Sequence, residues 1–180
     1  GYVSSSAFIS PEEAEREFRE KNPTVTQTRF VKFISRAYER GWVKNVGAIG
    51  NAAGFVEPLE ATAIGFICRQ ARTVAHALAD GDTALLPGIA LAYNDWQTRL
   101  WDATRDFLAL HYRFNRRLDT PFWRACLNDV DLGRAADFVA YYQDGGPNAV
   151  GRQTFGAVSF ELDAYLILLL GMQVPFRSRP

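Results

Sequence analysis

From Thr62 onward the apolar residues of this chain recur three and four apart over long stretches. Ile64, Ile67, Ala71, Val74, Ala75 and Leu78 follow one such spacing, and Ile89, Tyr93, Trp96, Leu100, Phe107 and Tyr112 follow another. This is the period of an amphipathic helix, and it commits the larger part of the chain to helix-on-helix packing. Upstream, residues 1–10, 28–35 and 42–50 carry the alternation or the short apolar runs expected of strands. Strands early and helices late predict an α+β fold, a few strands followed by a mainly helical half over residues 62–180.

Local punctuation sharpens this outline. Ser10, Pro11 and Glu13 spell a capping box with proline in the first helical position, predicting a helix that stops before Pro23. A second helix starts at Thr62 and ends at the "DGD" of residues 80–82, and a longer one begins near Pro87. "DTPFW" (residues 119–123) caps a shorter helix, and "DLGRAADFVAYY" suggests another before the loop "GGPNAVG". The most apolar run, "AYLILLLGM" (residues 164–172), is far short of the roughly 20 residues that span a bilayer and reads as a buried helix.

At 180 residues one domain with its own core is expected. Lys plus Arg number 20 and Asp plus Glu number 20, so no net field argues for nucleic acid or for an anionic membrane as partner. Cys68 and Cys126 have no CxxC spacing and read as reduced thiols, which suits a cytoplasmic protein. The chain opens on Gly1 rather than methionine, and we expect it to be part of a larger protein or a processed chain.

The segment with chemical content is "GNAAGFVEPLEATA", residues 50–63. Small residues let a backbone approach closely, and the helix start at Thr62 offers unpaired N–H groups and a positive dipole end, a geometry that receives anions or a cofactor. The same residues also suit a tight turn packed on a sheet, and the local pattern leaves both readings open. Glu57 reads equally as a charge that complements the helix dipole. Glu60, flanked by Leu59 and Ala61 and directed by Pro58, is the candidate proton acceptor. His111 reads as a packing or hydrogen-bonding residue, and His76 has no acid or cysteine at metal-ligand spacing. Trp96, Trp101 and Trp123 read as core or cap residues. No metal site and no Ser-His-Asp, Cys-His or phosphate-loop arrangement can be assembled.

"IGNAAGFVEPLEATAI" (residues 49–64) resembles the FVEPLE segment of flavin-dependent halogenases of the tryptophan-halogenase family. "RDFLALHYRFNRRLDTPFW" (residues 105–123) resembles a second stretch of that family, and residues 1–10 resemble the strand that follows its WxWxIP motif. The resemblance implies an enzyme that takes reduced FAD from a separate flavin reductase and uses oxygen with chloride or bromide to halogenate an electron-rich aromatic molecule. It implies catalysis by Glu60, halide binding by the backbone at Thr62 and Ala63, and flavin contacts from Gly50, Asn51 and Ile64. It places Ala61, Phe155 and Phe160 at the substrate, and Ala63 stands where many members have glycine. An indole, phenol, pyrrole or larger scaffold is as well suited as free tryptophan, because Phe155, Phe160 and Arg152 stand where tryptophan-specific members carry other residues. A homodimer is compatible with the resemblance.

The GxGxxG fingerprint, essential lysine and WxWxIP of the family are not found in these 180 residues. The resemblance therefore implies the C-terminal part of a flavin-monooxygenase-like fold, inactive alone, with residues 1–61 completing the FAD and substrate sheet region. The alternatives are a flavin-dependent aromatic hydroxylase of the same fold and a non-catalytic interaction module.

Overall fold

The computed structural model describes residues 1–79, 86–148, 160 and 162–177. The first helix, α1 (Pro11–Lys21), is built as its sequence spells it. Ser10 Oγ accepts from the Glu13 N–H at 3.2 Å, and Glu13 Oε2 accepts from the Ser10 N–H at 3.1 Å, so two otherwise unpaired donors are satisfied reciprocally.

The strands are shorter than predicted and lie elsewhere. Residues 1–10 form no strand; the Phe8 and Ile9 N–H groups close a turn on the Ser5 carbonyl. Residues 28–35 make no ladder either, and Phe30, Val31 and Ile34 are exposed. An alternating pattern specifies a strand only where a neighbour supplies hydrogen bonds, and among the described residues these segments have no such neighbour. The ladder forms just beyond, where β1 (Arg36–Ala37) pairs antiparallel with β4 (Gly54–Phe55). The predicted strand 42–50 is instead a hairpin of β2 (Trp42–Val43) and β3 (Val46–Gly47), turned at Lys44, whose φ is 55°. A short 3₁₀ turn (Gly50–Ala52) leads from the hairpin into β4.

Five more helices follow among the described residues: α2 (Thr62–Ala79), α3 (Leu86–Arg113), α4 (Pro121–Asp129), α5 (Ala135–Gly145) and α6 (Leu162–Gly171). α4 starts where DTPFW predicts, with Thr120 as its N-cap and Pro121 in its first position. The 28-residue α3 is the axis of the molecule. Tyr93, Leu100 and Phe107 are buried on it and Ile89, Trp96 and Tyr112 half-buried, as their spacing predicts. Toward its C-terminal end, Phe107 and Leu110 join Ala135, Phe138, Val139 and Tyr142 of α5 and Leu162 and Leu169 of α6 in one core cluster. Toward its N-terminal end, Asn94 clamps the hairpin, its Oδ1 accepting from Trp42 N–H and its amide donating to Trp42 O, both at 2.8 Å.

Two predicted faces are corrected. α2 turns Phe66, Gln70 and Ala77 inward, whereas Ile64 and Leu78 of the apolar stripe are 70% and 65% exposed. α6 is buried on one side only, with Ile167 and Leu170 exposed. Both helices carry apolar residues on more than one face, so spacing marks the faces without choosing the inner one. Among the described residues no helix is long and apolar enough to cross a membrane, and no group of three or more His, Cys, Asp or Glu side chains is placed to hold a metal ion.

Candidate functional site

The chain from Gly50 to Thr62 is pinned at three points. Gly50 is buried with φ +58°, and a Cβ there would lie 2.4 Å from Ile67 Cγ1, so both its conformation and its packing on α2 require glycine. Its N–H donates to the buried Gln70 Oε1 at 2.7 Å, and Gln70 in turn reaches Gln97 of α3. Farther along, Ser35 Oγ donates to the Val56 carbonyl, and Tyr112 Oη of α3 donates to Glu57 Oε2. Burial, followed by the contact with Glu57, raises the Tyr112 phenol well above its ordinary pKa. Glu57 is thus engaged with α3, and its Oε1 is buried without a hydrogen-bond partner among the described residues.

Between Pro58 and Ala61 the backbone closes a turn, the Ala61 N–H donating to the Pro58 carbonyl at 3.2 Å. Ala61 then takes φ 51°, a left-handed conformation uncommon for a residue with a Cβ, and α2 begins at the next residue. Glu60 is thereby set just ahead of the helix start, and its Oε1 lies 2.9 Å from His111 Nε2 of α3. The Glu60 side chain keeps 39% of its surface open and the His111 side chain 16%, so the pair sits at the edge of the fold with Glu60 outward. The first turn of α2 carries no acidic residue, which leaves its positive end uncompensated from within the helix. Ala63 lies in that turn and is not among the residues with positive φ, so its methyl group is accommodated.

A narrow recess opens on this turn, lined among others by Gly50, Asn51, Glu57, Thr62, Ala63 and Trp101. Its free space is about 10 Å³, room for about one water molecule and not for an aromatic ring. Trp101 Nε1, like Glu57 Oε1, is buried there without a partner among the described residues.

Of the residues singled out in the sequence, Gly50, Asn51, Thr62 and Ala63 are brought together at this recess; Glu60 and Ala61 directly precede Thr62 in the chain but do not line it. Ile64 does not line it; its side chain is directed outward. Phe160 is half-buried and stacks on Phe107 with ring centroids 4.1 Å apart, next to the α3, α5 and α6 core. Phe155 and Arg152 lie outside the described residues. Sequence reasoning missed His111 and Tyr112 as partners of the two glutamates. The available signal was their adjacency within "RDFLALHY", but the Tyr112 contact spans 55 positions, which no local pattern encodes.

Three comparisons bear on this geometry. The family model described as tryptophan halogenase matches residues 1–180. Tryptophan 7-halogenase RebH of Lentzea aerocolonigenes is 39% identical over 129 residues, which are 69% of this chain and 24% of that protein. Among solved structures, MibH, a lanthipeptide tryptophan 5-halogenase, superposes with a TM-score of 0.83 at 32% identity, covering 99% of this chain and 36% of its own. BrvH, a flavin-dependent halogenase from Brevundimonas sp. BAL3, gives 0.82 at 28% identity over 99% of this chain and 35% of its own. The chain thus spans about a quarter of the curated relatives it matches and about a third of the solved ones.

Proposed function

Because this chain belongs to the tryptophan halogenase family, we propose that it is the part of a flavin-dependent halogenase that supplies the catalytic carboxylate and the halide end of the site. The observation that carries this reading is Glu60, held between a strained turn and a histidine immediately ahead of a helix whose own first turn carries no acidic residue. An arrangement of this kind suits a reaction that needs an anion and a proton acceptor side by side.

The residues at hand fit one wall of a flavin site. Asn51 is exposed and lines the recess, and Ile64 presents an open apolar side chain in the first turn of α2. Gly50, whose conformation and packing against Ile67 both require glycine, would shape this wall and present its backbone to the cofactor. Bound reduced FAD, delivered by a flavin reductase, would supply with oxygen and halide the electrophilic halogen. The N–H groups of Thr62 and Ala63 would receive the chloride or bromide, favoured by the dipole of α2. Glu60 would orient the aromatic substrate and take up the proton that substitution releases. Ala61 would border the substrate, and Phe160, with Phe155, would bound the aromatic ring. An indole or another electron-rich arene is the substrate class, and the cytoplasm, where a reductase supplies reduced flavin, is the location that suits it.

The test uses the full-length protein that carries this segment, with a flavin reductase, NADH, chloride or bromide, and a panel of indoles, phenols and pyrroles read by mass spectrometry. A product with a halogen isotope pattern is expected, and Glu60→Gln should lower its rate by about 100-fold or more while FAD binding stays near wild type. Flavin oxidation without halogenated product from any arene would count against the reading. Undiminished halogenation by Glu60→Gln would remove the carboxylate from the chemistry.

A further inference from the structure

The contacts of His111 fix how many protons it shares with Glu60. Its Nδ1 lies 3.1 Å from the Phe107 carbonyl oxygen. A carbonyl only accepts hydrogen bonds, so Nδ1 carries hydrogen in this contact. The other ring nitrogen, Nε2, then faces Glu60 Oε1 at 2.9 Å. A neutral ring with hydrogen on Nδ1 facing an ionised carboxylate would set lone pair against lone pair at that distance. The contact therefore requires one proton between Nε2 and Oε1. The ring has little freedom to turn away, since the Phe107 ring packs edge-on against it at 5.0 Å and is itself stacked on Phe160.

We propose that Glu60 and His111 form a proton-sharing pair, in which His111, anchored through Nδ1–H to Phe107, holds Glu60 Oε1 and leaves Oε2 to receive the proton released by aromatic substitution. This rests on the reading of Glu60 as the carboxylate of a halogenase. As the carbon–halogen bond forms at the ring carbon, the C–H bond breaks, its electron pair returns to the aromatic ring and the proton passes to Glu60 Oε2. The halogen arrives as the electrophile supplied by the flavin chemistry. The pair then holds two protons and gives one to water on the open side of Glu60. His111 is a positioning residue here, acting on the substrate only through Glu60.

The other titratable groups around the pair are already committed or withdrawn. Glu57 accepts from Tyr112 on α3, Arg113 donates to the Leu127 carbonyl of α4, and Cys126 of α4 is buried with its thiol pushed up by that burial. On α6, Tyr165 packs against Phe107, its phenol pushed up to about 12 by burial.

The experiment compares His111→Leu, His111→Gln and Glu60→Gln in the full-length protein, singly and combined. His111→Leu should lower kcat by about 10- to 100-fold through loss of alignment, with KM for the arene within about twofold of wild type. His111→Gln still offers a donor to Glu60, and it should retain more of kcat than the leucine variant. In the Glu60→Gln background neither histidine substitution should cost more, because a residue that acts through Glu60 has nothing left to act on. Costs that add in the double variants, or that fall on KM alone, overturn the proposal.

A readout independent of turnover is the ¹⁵N resonance of His111 Nε2, assigned by its loss in His111→Gln. It should move in Glu60→Gln; an unmoved resonance overturns the pair even where Glu60→Gln abolishes halogenation. A moved resonance with undiminished turnover overturns the catalytic role of the pair together with the function reading beneath it. The two failures are thereby told apart.

Discussion

Ala61 sets the direction of Glu60. Its left-handed φ of 51° turns the chain from the Pro58 turn into α2, and an alanine held there costs about 1–2 kcal/mol that the surrounding contacts must offset. A β-branched side chain tolerates this conformation less well. Ala61→Val should therefore lower the unfolding free energy of the full-length protein by about 1 kcal/mol or more and lower kcat as Glu60 loses its aim; urea melts and the halogenation assay check both. The same geometry rules out Thr62→Pro as a clean test of the halide N–H, since a proline would drive Ala61 toward extended backbone. At this scale the sequence was half legible. Pro58 announced a rigid turn and Glu60 a directed acid, but the strained position is spelled alanine where only a glycine would have advertised it. His111 gave still less away, because its meaning lies in a contact with a residue far along the chain.

Among the elements, α2 and the early strands teach opposite lessons. The start of α2 at Thr62 was readable because small residues, a proline and a change of period coincide there. Its inner face was not, because apolar residues occur on both sides, and burial is decided by what α3 and the 3₁₀ turn offer. The buried anchors are Phe66, packed edge-on against Trp101 at 5.0 Å, and Gln70, which holds Gly50. Phe66→Ala should cost about 3–5 kcal/mol in the full-length protein, whereas Leu78→Ala on the outward stripe should stay within about 0.5 kcal/mol, both read by chemical denaturation. An equal cost at the two positions would mean that the outward face is covered. The predicted strands at residues 1–10 and 28–35 carry suitable residues, yet strand formation is a property of a pair, and alternation within one segment says nothing about its neighbour.

For the molecule as a whole, the balance of fold and exposure is uneven. α3, α5 and α6 enclose a core around Phe107, Leu110 and Tyr142, while Phe30, Val31, Ile34, Ile64, Leu78 and Leu91 stand open. Residues 1–180 expressed alone should bind an apolar dye and self-associate, and the full-length protein should do so far less. A monomeric, dye-silent 1–180 would show that these faces close on one another in solution. The α+β class and the helical half were legible because they depend on period and capping; the placement of the few strand residues was not, because they pair only two residues at a time.

The outward stripe of α2 bears on how such a protein melts. The helix proposed to receive the halide is also the one whose second apolar face stands open, so any surface that covers it joins the same equilibrium. Two modules sharing one helix lose their separate transitions and unfold as a single cooperative unit. Heat or denaturant that loosens the cover would then disarm the carboxylate in the same step, and activity and structure would be lost at one midpoint.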